Sequence, residues 1–120
     1  MARVLVVDDA KIMRNILQTM LEKGGHEVVA CAESGEEALI QYDDLKPDLV
    51  TLDILMKGVD GMECLKSIRS RDPSAKVVMV TAQGHGQKHE EALAEGAAGY
   101  VAKPVDPEHL LAEIDRIMAS

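Results

Sequence analysis

A doubly wound α/β domain is what this sequence predicts, and three observations carry the prediction. Five short apolar runs alternate with five stretches of helical periodicity along 120 residues. The connections are short enough to force right-handed crossovers between parallel strands, with helices on both faces of one sheet. Four of the runs also stop on a residue that can do chemistry: Asp8-Asp9, Asp53, Thr81 and Lys103.

Each element has its own local warrant. Residues 3–7 are a β-rich apolar run bounded by charge, hence a buried strand. Between Ala10 and Lys23 the apolar residues Ile12, Met13, Ile16, Leu17, Met20 and Leu21 recur in steps of three and four. That spacing predicts an amphipathic helix with these six on its inner face, stopped by Gly24-Gly25. A second strand covers Val28 to Cys31. Ser34-Gly35-Glu36-Glu37 is a capping box, with Ser34 as N-cap and Glu37 reaching back. Its helix turns Ala38, Leu39 and Tyr42 inward and ends before Pro47.

Asp48 to Asp53 reads as apolar on both faces, as a central parallel strand should. Asp60-Gly61 opens a helix with Cys64, Leu65 and Ile68 on one face, closed at Asp72-Pro73. Lys76 to Thr81 is the fourth strand. A helix over Gln87 to Glu95, ended by Gly96, has thin apolar content in Ala92, Leu93 and Ala94. Gly99 to Ala102 is the last strand. Asp106 then caps a helix with Pro107 at its first position, burying Leu110, Leu111, Ile114, Ile117 and Met118.

Length and composition set the outer bounds. One domain over residues 1–120 is expected, burying about two-thirds of its unfolded surface without needing a disulfide or structural metal. Apolar residues make up 47% of the chain, yet Phe and Trp are absent, so aliphatic residues and Met must fill the core. A net charge of −8 argues against a nucleic-acid partner, which requires clustered Lys and Arg. Cys31 and Cys64 read as free thiols of a reducing compartment. The four-residue apolar run at the N-terminus is too short for a signal peptide or a membrane span. A soluble cytoplasmic protein without membrane insertion is the expectation.

In such sheets the ligand site lies beyond the carboxyl ends of the strands, where the strand order reverses. The flavodoxin-like order 2-1-3-4-5 comes from the fold type rather than from the residues. It sets strands one and three side by side, so Asp8-Asp9 would face Asp53. At about 4 Å and an effective dielectric near 20, each carboxylate pair repels by about 4 kcal/mol. Such a cluster needs a shared proton or a cation. An oxygen-only donor set without His or Cys nearby favours Mg²⁺, which leaves room for a phosphate. Lys103 adds a second cation and Thr81 a hydroxyl. Together they are equipment for accepting a phosphoryl group, with Asp53 as nucleophile, Asp8 and Asp9 as metal ligands, and Lys103 and Thr81 on the transferring oxygens.

From Arg3 to Met118 the chain resembles the receiver domain of two-component response regulators, and among them the stand-alone chemotaxis type. The resemblance implies that Asp53 is phosphorylated from the phosphohistidine of a histidine kinase. It implies Mg²⁺ held by Asp8 or Asp9, Asp53 and the backbone carbonyl of Leu55. Thr81 and Lys103 match the family's switch threonine and phosphate-binding lysine. Tyr100 matches the switch aromatic, which turns inward when the threonine moves to the phosphate. Lys103-Pro104 matches a bond that is usually cis in the family. The fourth helix, fifth strand and fifth helix would form the surface read by a downstream target protein, on a monomer when unphosphorylated. Self-phosphorylation and autodephosphorylation at Asp53 would be its only reactions, so it is not expected to be an enzyme by role.

Two departures stand out. The family typically reads Met-Pro-x-x-Asp-Gly after the phosphoacceptor, and this chain has Lys57 in place of the proline. Val105 stands where many members have Phe. An output domain beyond residue 120 is not expected, so the effect is expected through protein contacts; a receiver cut from a larger regulator is the alternative. Two other classes fit the residues less well. A flavin carrier would need a Ser/Thr/Gly-rich phosphate loop, where Asp8-Asp9 would repel a phosphate. An aspartyl-phosphate phosphohydrolase usually has an acid two residues after the nucleophile, where this chain has Leu55. His85 and His89 share helical spacing, but Gly86 intervenes and no third ligand joins them, so both are read as a solvated helix start. Gly84-His85-Gly86 reads as a loop, and His26 and His109 as surface residues.

Overall fold

The computed structural model of the chain describes residues 1–56, 60–82 and 86–120. Lys57, Gly84 and His85 lie outside them. Five strands and five helices alternate: β1 Arg3–Val7, α1 Lys11–Lys23, β2 Glu27–Ala32, α2 Gly35–Leu45, β3 Leu49–Leu52, α3 Gly61–Arg71, β4 Val77–Ala82, α4 Gly86–Ala94, β5 Gly99–Lys103 and α5 Pro107–Met118. All four strand pairings are parallel, in the order β2-β1-β3-β4-β5. The doubly wound three-layer sandwich is as expected.

Alternation along the strands sends successive side chains to opposite faces, and two apolar layers result. Leu5, Val50, Leu52 and Met79 meet Ala38 and Tyr42 of α2, Leu65 and Ile68 of α3, and Ala92 of α4. Val4, Val6, Val78 and Val80 meet Leu17 and Leu21 of α1 with Leu110, Ile114 and Ile117 of α5. Every residue of β3 is buried, consistent with its unbroken apolar reading.

The helix starts follow the predicted chemistry. Ser34 Oγ accepts from the Glu37 N–H at 3.2 Å, and Glu37 reaches back to the N–H of Glu33 at 3.1 Å, one residue before the cap. Asp60 accepts from the Glu63 N–H at 2.9 Å, and Asp106 from the Glu108 N–H at 3.3 Å. Gly25 turns the chain out of α1 at φ +87°, a conformation that favours glycine.

Two expectations need correction. Of the six apolar residues in α1, Ile12 is 75% exposed and Ile16 39% exposed. The periodicity describes a stripe wider than the surface available to cover it, and only Leu17 and Leu21 are fully buried. His26 is half-buried rather than a surface residue, because its Nδ1 accepts the Ala2 N–H at 3.0 Å. His109 is exposed, and Cys31 and Cys64 are both free, burial pushing the Cys64 thiol up to about 11. Among the described residues no helix is long and apolar enough to cross a membrane.

The sheet and α3 fix the chain around Asp53. The Val7–Leu52 pairing ends β1 and β3 level. The Asp53 N–H extends the ladder to the Val7 carbonyl at 3.2 Å, and the Asp8 N–H to the Ala32 carbonyl at 3.1 Å. Gly61 donates to the Ile54 carbonyl at 2.8 Å, so α3 starts against the chain leaving β3. A Cβ at Gly61 would run into the backbone oxygen of Asp53 and the Cα of Ile54. Helix propensity favours alanine over glycine by at most about 1 kcal/mol. Overpacking against backbone costs about 1–3 kcal/mol or more, and wins. Gly61→Ala should therefore lower stability in urea unfolding, whereas a neutral or stabilising result would contradict this close packing.

Candidate functional site

Asp8, Asp9 and Asp53 converge as the strand order requires. One carboxylate oxygen from each lies within 4.8 Å of the others, with Asp8 and Asp53 buried and Asp9 exposed. The two buried groups are held differently from the exposed one. Asp8 Oδ1 accepts the Ala10 N–H at 2.9 Å, and Asp53 Oδ1 accepts the Leu55 N–H at 3.2 Å. Their remaining oxygens share one cation: Lys103 Nζ lies 2.8 Å from Asp8 Oδ2 and 3.1 Å from Asp53 Oδ2.

Lys103 reaches this point from the end of β5, two strands away, and the peptide bond that follows it to Pro104 is cis. Burial works against its charge, but the hydrogen bonds it donates to Asp8 and Asp53 outweigh burial and raise its pKa above the usual lysine value. Three carboxylates and one ammonium leave a formal charge of −2 on the cluster. No hydrogen bond or ion pair ties down Asp9 among the described residues. The site thus presents an exposed carboxylate beside two buried ones whose oxygens already have donors.

Thr81 is fully buried next to the carboxyl end of β4, and its Oγ1 has no hydrogen-bond partner among the described residues. Thr51, in mid-β3, shares that condition, and nothing in the structure explains it. Pairing of Met79 with Tyr100 and of Thr81 with Ala102 puts Thr81 and Tyr100 on the same sheet face, on neighbouring strands. Tyr100 is half-buried. Burial, and then the negative charge of Asp53, raise its phenol pKa. Leu55 is exposed and adjoins Asp53 through its N–H. Six of the seven predicted site residues therefore lie at the carboxyl end of the sheet, and the seventh, Tyr100, sits three residues before Lys103 in β5.

Sequence reasoning missed three contributors. Arg14 donates to the Asp8 carbonyl at 2.8 Å and stands 3.9 Å from Glu33, tying the β1–α1 turn to the start of α2. Its signal was a basic residue early in a helix, where the dipole favours acids. Gly61 was read only as a helix start. His89, read as solvated, is half-buried and stacks on Tyr100, with ring centroids 4.1 Å apart and planes 22° apart. A histidine on a thin helix carries no one-dimensional signal for a contact that depends on tertiary placement.

Comparison with known proteins gives one consistent result. A family model described as response regulator receiver domain matches residues 4–115. The chemotaxis protein CheY of Listeria monocytogenes is 41% identical over 116 residues, covering 97% of this chain and 98% of that protein. CheY of Thermotoga maritima is 38% identical over 115 residues, covering 96% of each. Among solved structures, the CheX-CheY-BeF3-Mg²⁺ complex from Borrelia burgdorferi matches with a TM-score of 0.94 and 33% identity, over 98% of this chain and 90% of that one. A putative response regulator from Chloroflexus aurantiacus matches with a TM-score of 0.94 and 34% identity, over 99% and 98%. With five parallel strands in the order 2-1-3-4-5 and an acidic cluster at their carboxyl ends, the chain belongs to the response regulator receiver domain family.

Proposed function

We propose that this receiver accepts a phosphoryl group on Asp53 from a histidine kinase, in a Mg²⁺-dependent reaction, as a chemotaxis-type signalling switch. The observation that carries the reading is the packing of three carboxylates within 4.8 Å around one lysine ammonium. The donor set fits a hard cation: the oxygens come from Asp8, Asp9 and Asp53, with no thiol or imidazole among the clustered groups. Asp9, Asp53 and the backbone carbonyl of Leu55 would hold Mg²⁺, with Asp8 beside them. Bound there, Mg²⁺ supplies positive charge that offsets the carboxylates and the transferring phosphoryl oxygens.

The protein's own groups divide the rest. An Asp53 carboxylate oxygen forms the new bond to phosphorus as the bond from phosphorus to the donor imidazole breaks, and the imidazole leaves with the electron pair. Lys103 already sits on the Asp53 oxygen and takes a phosphoryl oxygen in the product. Thr81 donates its unpartnered hydroxyl to another, and Tyr100 turns inward as Thr81 moves. Hydrolysis returns Asp53 to its carboxylate, so the protein is a signalling component and not an enzyme by role. A downstream protein reads the change on the α4-β5-α5 face. The similarity to CheY proteins over nearly their whole length supports the chemotaxis assignment.

Incubation with acetyl phosphate and Mg²⁺ should add one phosphoryl mass in intact-mass measurement, absent in Asp53→Asn. No adduct, or an adduct that survives Asp53→Asn, would sink the proposal. Lys103→Met removes two charge-assisted hydrogen bonds and should cost about 1–3 kcal/mol of stability in metal-free buffer. Because the ammonium no longer shares the Asp8 and Asp53 oxygens, Mg²⁺ should raise the melting temperature of this variant more than that of the unsubstituted protein. An equal or smaller rise would contradict the shared site.

A further inference from the structure

The stack between His89 and Tyr100 joins α4 to the edge strand β5. Little else holds that helix inward. Among its described side chains Ala92 alone is buried, while Lys88, Glu90, Glu91, Leu93 and Ala94 are exposed. Stacked ring contact of this kind contributes beyond simple area burial. It is therefore a sizeable share of what fixes α4 against the sheet. Tyr100 is also the partner linked to the site. It lies on the sheet face of Thr81, within the electrostatic reach of Asp53. Thr81 carries a buried hydroxyl without a partner, so an acceptor brought to Asp53 gives it a reason to move.

We infer that His89 is a positioning residue for Tyr100: its ring holds Tyr100 in the arrangement of the unloaded protein, and loading Asp53 breaks the stack. The inference rests on the phospho-acceptor reading and adds a named latch to it. Two consequences follow from linkage. A contact made only in the unloaded state opposes loading, and its loss on loading releases α4 from β5. The helix that the target protein reads is then coupled to Asp53 through one ring pair.

Beryllofluoride with Mg²⁺, titrated calorimetrically against the whole chain, tests this. His89→Ala should bind about two- to tenfold tighter than the unsubstituted protein, the range expected for losing one aromatic stack. His89→Phe, which preserves a ring, should stay near the unsubstituted affinity. In the unsubstituted protein the His89 ring protons should resonate upfield under Tyr100 and move downfield on beryllofluoride addition, a readout that does not depend on how well a variant folds. Unchanged or weaker binding by His89→Ala would overturn the latch, as would equal tightening in His89→Phe or ring protons that ignore loading. Absence of any binding by the unsubstituted protein would instead overturn the phospho-acceptor reading, and the latch with it.

Discussion

Mutual repulsion of Asp8, Asp9 and Asp53 is the constraint on which the carboxyl end of the sheet depends. Each pair at such a separation costs a few kcal/mol at protein dielectric, a large fraction of a domain's total stability. The fold sustains the cluster because donors are already in place. Backbone N–H groups of Ala10 and Leu55 take one oxygen each from Asp8 and Asp53, and Lys103 takes the other two. Asp9 is left exposed with no such compensation among the described residues. The residual negative charge favours a divalent cation, and a shared lysine that can yield oxygens makes room for one.

Parallel pairing gives this cluster its precision. β1 and β3 finish level, so Asp8 and Asp53 leave the sheet side by side, and the ladder continues one residue past each strand. Gly61 brings α3 directly onto the backbone at Asp53. Across the sheet the constraints relax. α3 buries Met62, Cys64, Leu65 and Ile68, whereas Ala92 alone is buried in the described part of α4. For the proposed switch, a tightly packed end at Asp53 and a lightly packed α4 are what a small free energy of modification would need if it is to shift a population.

Much of this was legible in the sequence, for identifiable reasons. Two-faced apolar runs and capping residues named the five strands and five helices to within a residue or two at each end. Residues such as Asp8, Asp53, Thr81 and Lys103 stood out because each terminates an apolar run, and the parallel fold maps run ends onto one edge. What stayed hidden depends on contacts between distant segments. Ile12 and Ile16 share the period of Leu17 and Leu21, yet both stay exposed. Tyr42 is buried as expected, but its hydroxyl donates to Asp72 at 2.8 Å across 30 residues, a partner no local pattern signals. His26 and His89 look like surface histidines in one dimension and acquire partners only when Ala2 and Tyr100 are brought to them.

A crystal structure grown with Mg²⁺ and beryllofluoride tests the central claim most directly. The account predicts beryllium bonded to an Asp53 carboxylate oxygen, Mg²⁺ ligated by Asp9, Asp53 and the Leu55 carbonyl, and Lys103 and Thr81 on fluorides. Beryllofluoride elsewhere on the chain, or a metal that leaves Asp9 and Asp53 unligated, would contradict it.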